Sequence, residues 1–353
     1  MELALDLAKA RKGLTGTNPS VGSVIVKNEK VISIGQTSFN GGPHAELNAI
    51  KNCVDNLSGS KMYVTLEPCS HYGKTPPCTT AIINSKISEV IYSINDIDKR
   101  VRAKTKKILA SSHVKVKSGL LKNKIKKFYE SYFYNRKKKL PFVTGKIAIS
   151  KNNLIYSKNN KKITNKLSDK LTHYLRYRND SIMISYKTLN IDNPKLDCRI
   201  KKMKKFSPIR IILDNKLQSN EKNYIFNSVK QNNTIFFFNE ANNSKISRFK
   251  KRKINLIKSN IDKYKKFDIN KVLKSLYNLG CRNLLIEGGD DLTNHLIKKK
   301  IFNEFYLFKS QKKLSKLVKY KKFNGLKLLN QIYKNKIKLK SNFGKDTVIL
   351  HRI

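Results

Sequence analysis

One set of residues constrains this chain more than any other. His44-Ala-Glu46 is followed by Pro68-Cys69-Ser-His-Tyr-Gly-Lys-Thr-Pro-Pro77-Cys78. One imidazole and two thiolates are good Zn²⁺ ligands, so a fold that uses them must bring His44, Cys69 and Cys78 to one point. Three protein ligands leave a fourth position for water, which the ion acidifies towards neutral pH. Glu46, two residues past the histidine at a helix start, can sit beside that water without ligating it and shuttle protons. If Cys78 opens a helix, the N-terminal dipole favours its thiolate. The alternative is a closed zinc knuckle, for which His71 is the only nearby fourth ligand.

The surrounding pattern alternates strands and helices. Leu3, Ala4, Leu7 and Ala8 have helical spacing within 2–12, stopped by Gly13. Val21–Val26 and Val31–Ile34 read as a hairpin around Lys27–Lys30, Lys61–Leu66 and Glu89–Ile94 as further strands, and 78–85 as a helix. This argues for an α/β layer with helices on both faces. An amphipathic and then basic stretch, 120–140, precedes Pro141, which places a boundary between domains 1–140 and 141–353. Beyond it, 142–149, 181–186, 209–213, 234–238, 283–286 and 304–308 read as strands, and 165–178 and 267–279 as helices, giving a second α/β domain. The basic stretch 244–266 is a helix with a charged face or a loop.

The order H-x-E…P-C…C is the zinc deaminase signature of enzymes that act on nucleobases. That signature spaces its cysteines C-x-x-C, whereas here a long loop separates Cys69 from Cys78. The loop, together with Thr17-Asn-Pro-Ser-Val-Gly22 and Thr65-Leu-Glu-Pro68, resembles the bifunctional riboflavin-biosynthesis deaminase–reductase family. The resemblance implies an N-terminal cytidine-deaminase-like αβα domain and a C-terminal dihydrofolate-reductase-like α/β domain. It also implies hydrolytic deamination of a diaminopyrimidinone bearing ribose 5-phosphate, then NADPH reduction of the ribose to a ribityl chain. Glu46 would be the proton carrier, and His71 and Lys74 would meet the polar ring and the phosphate. Asn18 would hydrogen-bond the substrate, or fix the Asn-Pro turn. Where the family has His-Pro before that turn, this chain has Gly16-Thr17.

The second domain has no G-x-G-x-x-G, so no Rossmann fingerprint is available. Gly288-Gly289, after the strand 283–286 and Glu287, would let backbone approach a phosphate, since glycine permits positive φ. The family comparison is carried by Lys146-Ile-Ala-Ile-Ser150, Ile163-Thr164, Arg176, Thr188-Leu-Asn-Ile-Asp-Asn-Pro194, Leu196, Arg199, Asp214 and Glu287-Gly-Gly289. By that resemblance Arg176 and Arg199 hold the substrate phosphate, with Leu196 beside them and Glu287 near the ribose. Ile149, Thr188, Asp192, Asn215, Gly288 and Gly289 meet NADPH. The chain departs at Ser150-Lys-Asn-Asn153, where the family has S-L-D-G, and at Asn159-Asn-Lys-Lys162, where it has a Gly/Ser-rich stretch with Trp. A second domain that no longer catalyses is the alternative there.

Hydrophobic residues are 39% of the chain, lean beside roughly 45–50% apolar in ordinary domains but enough for real cores. No apolar run reaches the roughly 20 residues of a membrane span, and with Glu2 and Asp6 interrupting it the N-terminal stretch does not read as a secretory signal. The five cysteines read as reduced thiols of a cytoplasmic protein. The net charge of +51 suggests a nucleic-acid binder, but residues 1–100 carry 11 basic against 9 acidic groups, and only 12 of the 75 basic residues are Arg. Lysine interspersed with Asn and Ile reads as drift towards AT-rich codons rather than as a selected nucleic-acid surface, so no specific nucleic acid is expected. The competing functions are an RNA-base deaminase with residues 101–353 as a basic platform, and a basic structural protein. The expected partner is a small phosphorylated pyrimidine, and relatives suggest a homo-oligomer.

Overall fold

A computed structural model describes residues 1–73, 76–98, 100–101, 103–158, 162–229 and 234–353. The chain forms two compact units, Met1–Leu140 and Pro141–Ile353.

The first unit opens with helix α1 (Glu2–Arg11), the hairpin β1 (Gly22–Lys27) and β2 (Lys30–Gln36), and helix α2 (Ala45–Lys51). Strand β3 (Lys61–Leu66), helix α3 (Cys78–Asn84), β4 (Glu89–Ile94), α4 (Lys104–Ser111), β5 (Lys115–Ser118), α5 (Lys122–Phe128) and α6 (Glu130–Lys138) follow. Its sheet has the order β2-β1-β3-β4-β5, antiparallel at the hairpin and parallel from β3 to β5. β4 is buried along its whole length because it lies inside the sheet and is covered on both faces, with Val90, Ile91, Tyr92 and Ile94 as its apolar residues and Glu89 and Ser93 buried beside them. Leu5, Ile25, Ala49, Met62, Val64, Ile82, Val90, Leu109 and Tyr129 fill the core. α1 and α2 lie so close to the sheet that a Cβ on Gly22 would overlap the Ala4 carbonyl, and one on Gly35 the backbone of Ala45 and Ala49.

The second unit begins with β6 (Phe142–Ile149), β7 (Leu154–Ser157), α7 (Lys166–Arg178), β8 (Ser181–Ser185), α8 (Tyr186–Asp192), β9 (Ile209–Leu213), α9 (Tyr224–Asn227) and β10 (Thr234–Phe238). It continues with α10 (Asn243–Lys251), β11 (Asn255–Lys258), α11 (Ile269–Asn278), β12 (Asn283–Ile286), α12 (Asp290–Lys298) and β13 (Glu304–Lys309). β14 (Tyr320–Lys322), α13 (Leu326–Ile332), β15 (Asn335–Lys338) and β16 (Thr347–Arg352) complete it. Among the described residues the main sheet has nine strands, β11-β10-β9-β8-β12-β6-β13-β16-β15, parallel from β11 to β13 and antiparallel beyond.

Three local expectations change. The stretch 244–266 holds both α10 and the edge strand β11, because the Asn242 side chain caps the helix at Lys245 N–H and the chain then returns beside β10. β8 stops at Ser185 rather than Tyr186, since the Ser185 hydroxyl accepts the Thr188 N–H and starts α8. Gly288 and Gly289 do not have positive φ; Gly289 has φ −72 and caps α12. What demands glycine there is space: a Cβ on Gly288 would meet Thr293 Oγ1 at 3.1 Å, and one on Gly289 the Thr188 hydroxyl at 3.3 Å.

Candidate active sites

In the first unit, loops carry the ligand residues to one point. His44 precedes α2, Cys69 follows β3, and Cys78 opens α3. Nδ1 of His44 lies 3.5 Å from Sγ of Cys69 and 3.4 Å from Sγ of Cys78. All three donor atoms fall within 4.8 Å of one another. Zn–S bonds of about 2.3 Å and a Zn–N bond of about 2.0 Å at tetrahedral angles would separate N from S by about 3.5 Å, so the set fits the ion. Among the described residues neither His71 nor any other joins the group, which argues against the closed knuckle and for an open fourth position.

Cys78 donates its backbone N–H to Cys69 Sγ at 3.3 Å. Hydrogen bonds from Cys78 and His44 hold the Cys69 thiol down at about 4 against the cost of burial, which favours the thiolate. Glu46, in the first turn of α2, is 3% exposed. Burial pushes its carboxyl up to about 7, with His44 pulling the other way.

His44, Glu46 and Cys69 line a cavity of about 420 Å³, with Asn18, Gly41, Glu67, His71, Asp96, Asp98, Arg100, Tyr132 and Arg136. Asn18 spends its amide N–H₂ on the Gly41 carbonyl at 2.8 Å, tying two loops of the rim together. Among the described residues Nδ1 of His71 is buried without a partner, which leaves it a hydrogen bond to make with a ligand. Lys74 lies outside the described residues.

Sequence reasoning did not single out Glu67, Asp96, Asp98, Tyr132 or Arg136. The Glu67 carboxylate accepts the backbone N–H groups of Asp96, Ala103 and Thr105 at 3.1, 3.2 and 3.3 Å. It thereby fixes the segment after β4 against the segment that supplies Cys69. The signal for Glu67 was its place in the matched string Thr65-Leu-Glu-Pro68, which did not say what its carboxylate would bind.

In the second unit, Arg176 of α7 and Glu287 after β12 form a bidentate pair at 2.8 and 2.9 Å. Arg176 is 8% exposed and also donates to the Asp197 carbonyl at 3.2 Å. Burial pushes the Glu287 carboxyl up, but Arg176 and then Lys146 more than offset it and hold it at about 2. Lys146 on β6 is half-buried; desolvation pulls its ammonium down, opposed by Glu287. Lys146, Thr188, Asp192, Glu287, Gly288 and Gly289 line one cavity of about 170 Å³ at the start of α12.

Arg199 stands apart from that cavity. It is half-exposed, bonds Asp197 Oδ1 at 2.9 Å and borders a wider cleft with His173, Tyr174 and Lys166. Asp197 therefore links the two arginines, through its carbonyl to Arg176 and its carboxylate to Arg199. Leu196 is buried beside them with φ +55. Ile149 is buried at the end of β6, one residue past the cavity wall, and Asn215 uses its carbonyl to hold Asn239 and Glu240 N–H groups. Lys146 lies within the matched string 146–150, but a lysine in so lysine-rich a chain carried no signal of its own.

The departing loop Ser150–Asn153 is well ordered. Leu154 N–H bonds the Ser150 hydroxyl, Asn152 pairs with the backbone of Leu314, and Asn153 takes φ +60, which asparagine tolerates. The other departure, at 159–162, falls largely outside the described residues.

An open three-ligand zinc site with a buried glutamate in one α/β unit, and a Gly-Gly cavity at a helix start in another, define a metal-dependent deaminase joined to a reductase. Residues 1–94 match the family model of the cytidine and deoxycytidylate deaminase zinc-binding region, and residues 146–313 that of the RibD C-terminal domain. The chain is 30% identical to the riboflavin biosynthesis protein RibD of Aquifex aeolicus, over 100% of this chain and 97% of that one. It is 30% identical to RibD of Actinobacillus pleuropneumoniae, over 99% and 93%. A solved Thermotoga maritima diaminohydroxyphosphoribosylaminopyrimidine deaminase/5-amino-6-(5-phosphoribosylamino)uracil reductase superposes with a TM-score of 0.83 at 28% identity, covering 100% of this chain and 97% of that one. The chain belongs to the RibD family of riboflavin biosynthesis proteins. It is an enzyme with deaminase and reductase activities, and its cofactors are Zn²⁺ and NADPH.

Proposed function

We propose that residues 1–140 deaminate 2,5-diamino-6-(5-phosphoribosylamino)pyrimidin-4-one, and that residues 141–353 then reduce the ribose of the resulting aminouracil phosphate to the ribityl chain. The observation that carries the reading is the convergence of His44, Cys69 and Cys78 beside the buried Glu46.

His44, Cys69 and Cys78 hold the zinc. The ion, when bound, supplies Lewis-acid activation of a water in its open position. Glu46 carries the two protons of the attacking water in turn, one to a ring nitrogen and one to the departing amine, which leaves as ammonia while the water oxygen stays on the ring carbon. Asn18, His71 and Lys74 contact the substrate. In the second unit NADPH supplies the hydride. Gly288 and Gly289, with no Cβ to fill the space against Thr188, leave room for one end of the dinucleotide, and Thr188, Asp192, Ile149 and Asn215 flank it. Glu287, held by Arg176, faces the ribose, and Lys146 beside it can give a proton to the opening ribosyl oxygen. Arg199 takes the phosphate, with Arg176 and Leu196 shaping that end.

The protein works in the cytoplasm as a homo-oligomer, without a specific nucleic-acid partner. No described helix is long and apolar enough to cross a membrane, and all five cysteines are unpaired thiols. The test is an assay of zinc-loaded protein on the diaminopyrimidinone ribose phosphate that follows ammonia release and NADPH oxidation separately. Both are expected. Ammonia without NADPH oxidation would mean that the second unit does not catalyse, and neither would bring the RNA-base deaminase forward.

A further inference from the structure

The cavity that holds the zinc ligands has a second charged wall, made by Asp96, Asp98, Arg100, Tyr132 and Arg136. Most of its groups are committed to one another. Asp96 accepts the Tyr132 O–H and the Asp98 N–H, each at 3.0 Å. Asp98 accepts Nε and Nη2 of Arg100 at 3.0 and 2.6 Å, and Arg100 is otherwise largely in solvent. Both carboxylates feel the charge of Arg136, yet among the described residues neither pairs with it. Its guanidinium instead lies over the Tyr132 ring, with Cζ 5.4 Å from the centre, and the bond to Asp96 pins that ring.

Stacking uses the flat face of a guanidinium, and a hydrogen bond to the Tyr132 hydroxyl takes one of its donors, which leaves the rest of the N–H edge for an oxyanion. The lysine-rich composition does not account for this residue, since only 12 of the 75 basic side chains are Arg. We infer that Arg136 anchors the phosphate end of the substrate in the deaminase unit, so that this cavity selects a phosphorylated pyrimidine glycoside over the same compound without its phosphate. The inference rests on the function proposed above and adds a specificity residue to it. The ring would lie at Glu46 and the ligands, and the phosphate at the Tyr132–Arg136 wall of the same cavity.

The experiment measures ammonia release by zinc-loaded protein from the phosphorylated substrate and from its dephosphorylated form. Arg136→Gln and Arg136→Lys are compared with the parent, and ribose 5-phosphate serves as a competing anion. A charge-assisted hydrogen bond of ordinary strength predicts that the parent favours the phosphorylated form in kcat/KM by about ten- to a hundredfold. Arg136→Gln should collapse that ratio towards one and weaken inhibition by ribose 5-phosphate, while Arg136→Lys keeps part of both. A parent ratio that persists unchanged in Arg136→Gln would overturn the inference even if overall activity fell. A parent protein that releases no ammonia from the phosphorylated compound would overturn the proposed function, and this inference with it.

Discussion

At the residue scale, the Arg176–Glu287 pair shows how a buried charge sets a measurable property. The Glu287 carboxyl sits at about 2 in the folded protein and near 4.5 when unfolded, because Arg176 overcomes the burial that pushes it up. Its contribution to stability is therefore complete above about pH 4.5 and disappears as pH falls towards 2. Acid unfolding followed by circular dichroism should show this loss. Glu287→Gln should flatten the pH dependence in that window and cost about 3–5 kcal/mol at neutral pH, because it leaves the guanidinium buried against a neutral amide. Equal acid sensitivity in the variant would show that other carboxylates govern the transition. The pair was invisible in the sequence: both residues were expected at the substrate, but nothing in their spacing said that they would be each other's partner.

At the element scale, the metal site depends on how closely α2 approaches the sheet. Gly35 on β2 faces the backbone of Ala45 and Ala49, one turn from His44 and Glu46. Gly35→Ala should force α2 outward and cost about 1–3 kcal/mol. Because the displaced helix carries Glu46 and follows His44, the same change should reduce zinc retained after dialysis. A lower melting temperature with full zinc content would mean that the helix yields elsewhere. Strands β1 to β4, β6, β8, β9, β10, β12 and β13 were legible because buried strands are rich in β-branched and aromatic side chains. The edge strands β5, β11, β14 and β15 were not, since their side chains are largely exposed and mostly polar or lysine, with no alternation to read.

At the scale of the whole molecule, two chemistries occupy two separately packed units. Chelation of zinc should abolish ammonia release while NADPH oxidation on the already deaminated uracil compound continues. Parallel loss of both would mean that the reductase unit depends on the metal. The order of His44, Glu46, Cys69 and Cys78, the long loop between the cysteines and the alternation of strands with helices were determined by the sequence alone, because ligand chemistry and hydrophobic period are local properties. Which charges meet was decided only by the tertiary structure. The pairing of Arg176 with Glu287, the three N–H groups gathered by Glu67, and the position of Arg136 on the cavity wall depend on contacts between segments far apart in the chain. No local pattern encodes them, and in a chain with 75 basic residues the type of a side chain says little about its partner.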